Sequence, residues 1–145
     1  MSSTHSETER SVNLERTGKG RFRATNQRGG TLDLGEGDDA DFSPVELLLV
    51  AIAGCTAIDV DHLIGKRVDP DQLSVAVRAD KIRDDLGNRL TNITLTFDVG
   101  MPEGPDGDVA RQVLPRALHQ SHDRLCTVMR TVIVGTPVDV VLAGD

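Results

Sequence analysis

Residues 47–53, Leu-Leu-Leu-Val-Ala-Ile-Ala, carry no polar side chain. The residues just before them read as a helix start. Ser43 can accept a hydrogen bond at the N-cap, Pro44 suits the first helical position, and Glu46 stands three after the cap, the spacing of a capping box. A helix that is apolar all round is expected to be buried all round. The run is shorter than the about 20 residues needed to cross a bilayer, so it reads as the central helix of a soluble core. Just beyond it stands Cys55, among the small residues Ala53, Gly54 and Ala57, which leave room for another backbone or a ligand.

Around this helix the apolar period changes to two. Residues 11–15, 21–25 and 31–34 predict three short strands with Gly-rich turns between them. Residues 35–41 form an acidic loop, either a cover over an opening or a solvated linker. After the break at Val68-Asp69-Pro70, Leu73, Val75 and Val77 alternate, as do Ile93, Leu95 and Phe97. They predict two long strands, 72–83 and 89–99, joined as a hairpin across 84–88. Asp108 can cap a helix reaching about His122, kinked or split by Pro115. A short helical piece to about Val132 and a last strand, 137–142, complete the chain. Strands, long helix, hairpin, helices and strand make an α+β domain over residues 11–145, after a disordered tail at 1–10.

Composition removes several function classes. Three Phe and no Trp or Tyr leave almost no stacking platform for single-stranded nucleic acid. A net charge of −7 with no basic block argues against nucleic acid or an anionic membrane as partner. The first ten residues are polar and have no signal-peptide core, so a cytoplasmic location is expected.

Candidate chemistry centres on the two cysteines of the sequence. In a reducing compartment a structural disulfide between them is not expected, and without a CxxC pair the spacing gives no zinc site. No metal or cofactor is expected. They are either two inert buried thiols or a working redox pair. Cys55, Asp59, His62 and Lys66 share one helical stripe. Asp59 can reach Cys55, whereas His62 lies two turns away, about 10 Å, too far to serve as its general base. The plain reading of Asp59, His62 and Lys66 is the solvated end of the helix. Cys126 opens a new helical turn, where unpaired backbone N–H groups favour thiolate, and His122 and Arg124 can add positive charge.

Residues 43–60, Ser-Pro-Val-Glu-Leu-Leu-Leu-Val-Ala-Ile-Ala-Gly-Cys-Thr-Ala-Ile-Asp-Val, with a second Cys 71 positions on, resemble the OsmC/Ohr family of osmotically induced and organic hydroperoxide resistance proteins. The form S-P-x-E…G-C-x-A-I-D-V looks closer to its less characterised OsmC-like branch. The resemblance extends over about residues 12–142. It implies an OsmC-like fold, antiparallel sheets around a long central helix, in an intertwined homodimer with two sites at the subunit interface. It further implies a stress-response peroxidase. Cys55 would be the peroxidatic thiolate that reduces an organic hydroperoxide, Cys126 would resolve the sulfenic acid to a disulfide, and a dithiol would reduce that. An apolar pocket formed by Leu47, Leu48 and their neighbours would favour alkyl peroxides.

Two features depart from the pattern. Characterised members place a Glu directly after the helix-opening Pro, where it orients a thiolate-activating Arg. Here Val45 follows Pro44, with Glu46 one step on. The place of the Arg falls on Gly18, with Arg16, Lys19, Arg21 and Arg23 nearby. Glu46 and Arg21 are the candidates for the activating pair. The alternative is a non-catalytic ligand-binding or scaffold protein on the same fold.

Overall fold

A computed structural model describes residues 7–144, so most of the expected tail lies outside the described residues. The protein is α+β and divides into two compact units, one ending at Leu48 and the other beginning at Leu49.

The first unit is an antiparallel meander of β1 (Val12–Gly18), β2 (Arg21–Asn26) and β3 (Thr31–Leu34), in the order β1-β2-β3. Leu14 faces Ala24 and Ala24 faces Leu32, so the alternation predicted from sequence sets the register. The acidic loop after β3 folds onto Arg21. Its guanidinium pairs with Asp39, with Asp41 at 3.2 Å and, more loosely, with Asp38 at 3.9 Å. The loop is largely solvent-exposed and at the same time an anionic clamp on Arg21.

Helix α1 (Pro44–Gly65) starts in this unit with the expected capping box. The Ser43 N–H donates to Glu46 Oε1 at 3.0 Å, and the Glu46 N–H donates to Ser43 Oγ at 3.3 Å. Hydrogen bonding from Ser43, its backbone N–H foremost, favours the charged carboxylate and holds Glu46 below its usual range.

The second unit holds the rest of α1, a two-stranded sheet and two further helices. Strands β4 (Gln72–Asp84) and β5 (Gly87–Gly100) form the predicted hairpin, with a turn tighter than expected because Gly87 takes φ 126°. Between Arg78 and Asp80 the register slips, giving β5 one extra residue; Asn92 there adopts φ 55°. This bulge lets Leu90 and Ile93, three apart, both point inward. Helix α2 (Pro105–Gln120) begins three residues earlier than Asp108, because Pro105 is preorganised for a first turn that needs no N–H. It runs unbroken through Pro115 and passes into one π-helical turn, Ser121–Leu125. Helix α3 (Thr127–Val134) follows.

Two apolar clusters fill this unit. In one, Val60 and Ile64 of α1 meet Met101 and Ala110, with Phe97, Val113 and Leu118 packed around them. In the other, Ile52 meets Cys126 and Met129, flanked by Cys55, Ile93 and Leu95. Burial of α1 is thus a single stripe, Ile52, Thr56, Val60 and Ile64, every fourth residue. The expectation of all-round burial fails. Leu48, Val50 and Ile58 are 38%, 50% and 60% exposed, because the apolar clusters of the chain take up only one stripe of the helix. The whole of α1 is also, by length and composition alone, apolar enough to cross a bilayer, unlike residues 47–53 taken by themselves.

The last expected strand does not form. Residues 136–142 have no regular structure, and Val138, Val140, Val141 and Leu142 are 74–91% exposed. A strand needs a partner, and among the described residues none of the outer strands β1, β3, β4 and β5 pairs with this segment.

Candidate active site: a thiol pair beside an apolar pocket

Cys55 enters the site from the middle of α1 and Cys126 from the N-cap of α3. Their sulfurs and a carboxylate oxygen of Asp59 all lie within 4.8 Å of one another. Both thiols are free. Two side chains 71 positions apart in sequence meet in the second apolar cluster, where Cys126 is a buried member and Cys55 packs against it.

The local geometry at Cys126 follows from its cap position. Its backbone is extended, φ −75° and ψ 102°, and its sulfur accepts a hydrogen bond from the Met129 N–H at 3.3 Å. Its own N–H donates to the Ser121 carbonyl at 2.9 Å. The side chain is fully buried. The two cations expected to help it do not. His122 and Arg124 are exposed, and the His122 ring instead bonds the Asp123 carboxylate at 2.8 Å, holding that carboxyl below its usual range.

Cys55 is partly buried, and its thiol is pushed up from the ordinary thiol range. Burial is the main cause, followed by the hydrogen bond with Cys126; the charges of Cys126 and Asp59 act the same way, while a hydrogen bond from the Val128 backbone opposes them. None of these groups is a cation. Within this chain, then, no positive charge favours the Cys55 thiolate.

Asp59 is the residue whose role changes most from the sequence reading. It is no part of a solvated helix end: Ser121 Oγ, fully buried, donates to its Oδ2 at 2.9 Å. His62 and Lys66 do stay exposed. Ser121 escaped sequence reading altogether, since nothing near it marks a helix end that turns back onto α1. Of the other two candidates, Arg21 is held by the acidic loop and Glu46 by Ser43, both in the first unit.

A pocket of about 410 Å³ lies in the same unit; neither cysteine lines it, but it borders the cluster that holds them. Ile52 and Met129 belong both to its wall and to the cluster containing the cysteines. Ile93, Leu95, Leu118 and Ile133 make the wall apolar, and Leu47 and Leu48 have no place in it, contrary to expectation. One polar atom is left over: Thr56 Oγ1, buried in the same wall, has no hydrogen-bond partner.

Comparison with known proteins bears on the family and the fold. Residues 35–141 match the family model described as OsmC-like protein. An uncharacterized protein of Mycobacterium tuberculosis is 31% identical over 128 residues, 87% of this chain and 90% of its own length. A hypothetical protein from Aquifex aeolicus has the same fold, with a TM-score of 0.70 at 20% identity over 88% of this chain and 89% of that one. The organic hydroperoxide resistance protein OhrB of Bacillus subtilis superposes with a TM-score of 0.59 at 14% identity, covering 87% and 92% of the two chains.

Proposed function

This chain belongs to the OsmC-like protein family, and from that premise we propose that it is a thiol-dependent peroxidase that reduces organic hydroperoxides. The observation that carries the reading is the approach of Cys55 and Cys126 to within 4.8 Å beside an apolar pocket. Cys55, as thiolate, attacks the distal peroxide oxygen. The O–O bond breaks, the alcohol leaves, and Cys55 becomes a sulfenic acid. The Cys126 thiol attacks that sulfur, water leaves, and a disulfide forms. An external dithiol returns both residues to thiols by exchange. The apolar wall suits an alkyl chain better than hydrogen peroxide.

The raised Cys55 thiol must be activated for this chemistry. The exposed face of α1 and the unpaired segment 136–142 support a homodimer in which a second copy covers both and completes the site. Within that assembly Arg21 and Glu46 are the candidates for activating Cys55, once Arg21 leaves its aspartates. A reducing compartment such as the cytoplasm keeps the pair poised for turnover.

The test is turnover of cumene hydroperoxide with dihydrolipoamide or dithiothreitol. Cys55→Ser is expected to abolish it, and Cys126→Ser to leave one oxidation per chain without efficient recycling. Unchanged turnover in Cys55→Ser would refute the proposal.

One observation favours a second reading. The buried, unpartnered Thr56 hydroxyl in an apolar wall is what a binding pocket offers the polar end of a small lipid-like ligand. Under that reading Thr56→Val weakens ligand retention in native mass spectrometry, with no peroxide turnover in the parent protein.

A further inference from the structure

Two sulfurs and a carboxylate oxygen within 4.8 Å of one another are also a set of metal donors. We propose that Cys55, Asp59 and Cys126 form a site for a thiophilic divalent cation of the zinc class, with a fourth position open toward solvent or the pocket.

The donor chemistry selects the class. Thiolates are soft ligands that favour zinc or cadmium over magnesium or calcium, which take oxygen. In a tetrahedral site, metal–sulfur bonds of about 2.3 Å and metal–oxygen bonds of about 2.0–2.2 Å put the donors about 3.5–3.8 Å apart. The observed ceiling of 4.8 Å therefore asks for about 1.3 Å of closure at most.

The scaffold is already fixed. Cys55 and Asp59 stand one turn apart on α1, and Cys126 is held by the backbone at the start of α3. The buried Ser121 hydroxyl donates to Asp59 at 2.9 Å, as an outer hydrogen bond orients a metal-binding carboxylate. A carboxylate has further acceptor capacity, so this bond positions Asp59 without exhausting it. Charge argues the same way. Two thiolates and a carboxylate gather three negative charges, and a divalent ion offsets most of them. On binding, the two thiol protons leave to solvent. Sequence spacing gave no hint of this, because the second sulfur arrives through tertiary structure.

Metal and peroxide then compete for the same sulfurs, so the ion would act as a reversible guard against oxidation. The proposal does not depend on peroxidase activity, and its test does not measure it.

The test titrates the reduced, untagged full chain with cobalt(II) chloride, followed by displacement with zinc chloride. Expected are one ion per chain, visible bands of tetrahedral cobalt and near-ultraviolet thiolate-to-cobalt charge transfer, all removed by zinc. Cys55→Ser and Cys126→Ser should each lose about half the charge-transfer intensity. Asp59→Asn should keep that intensity but bind at least about tenfold more weakly. Zinc X-ray absorption of the parent protein, which needs no variant to fold, should show two sulfur ligands with oxygen completing the shell. Absence of thiolate charge transfer, a zinc shell without sulfur, or Asp59→Asn binding at parental affinity would each overturn the proposal.

Discussion

The thiol of Cys55 meets burial, a second thiol and a carboxylate, and each raises it. Removing the carboxylate charge should therefore lower it. In Asp59→Asn the pH profile of Cys55 alkylation by iodoacetamide is expected to move to lower pH, and an unmoved profile would contradict the assignment. The linkage sign follows from the same direction. The folded state holds this proton more tightly than the unfolded chain, so its contribution is complete below the ordinary thiol range. It is lost as pH rises through the raised value. Urea stability should thus fall above about pH 9, and Cys55→Ser should flatten that fall. A second residue-scale prediction concerns Gly107, buried in the first turn of α2. A Cβ there would collide with the Pro102 backbone carbonyl, which cannot swing away. Gly107→Ala should destabilise the fold by about 1–3 kcal/mol in urea melts. The two cysteines were legible in the sequence as the only thiols; the closeness of their sulfurs was not. Spacing along a helix reveals neighbours four apart, as with Cys55 and Asp59, whereas Ser121 and Cys126 reach the site through a π-helical turn that no local pattern announced.

The start of α1 is the element most fully written in its own residues. Ser43, Pro44 and Glu46 span a single turn, so local chemistry decides the outcome and the predicted capping box forms as expected. Ser43→Ala should cost about 1 kcal/mol, read as a lower denaturation midpoint with an unchanged slope. The hairpin of β4 and β5 was equally readable, because alternation fixes which face is inward. Its bulge at Asn92 was not, since alternation is blind to one extra residue until pairing shows it. Elements failed where the outcome depends on a partner that local pattern does not name. The segment 136–142 has the composition of a strand, yet composition does not say which edge, if any, it pairs with. Val45, Leu48, Val50 and Ile58 of α1 stay exposed for a similar reason: hydropathy states that a surface should be covered, not by what.

At the scale of the whole molecule, the family and the α+β architecture were legible, because the helix-borne motif and the order of elements are both sequence properties. Assembly is where the account extends furthest. The exposed face of α1 predicts that the protein sediments as a dimer, and that Ile58→Asp, at a position 60% exposed in the single chain, shifts it to monomer. A monomeric parent protein in analytical ultracentrifugation at micromolar concentration would remove the proposed route to an activated Cys55. The central claim concerns the two sulfurs, and intact-mass and peptide mass spectrometry test it most directly. Reduced protein is treated with one equivalent of cumene hydroperoxide, quenched with iodoacetamide and digested without reductant. The account predicts the loss of two hydrogens per chain and a peptide pair joined through Cys55 and Cys126. Both cysteines recovered alkylated with the peroxide unconsumed, or Cys55 recovered as sulfinic acid beside an alkylated Cys126, would contradict it.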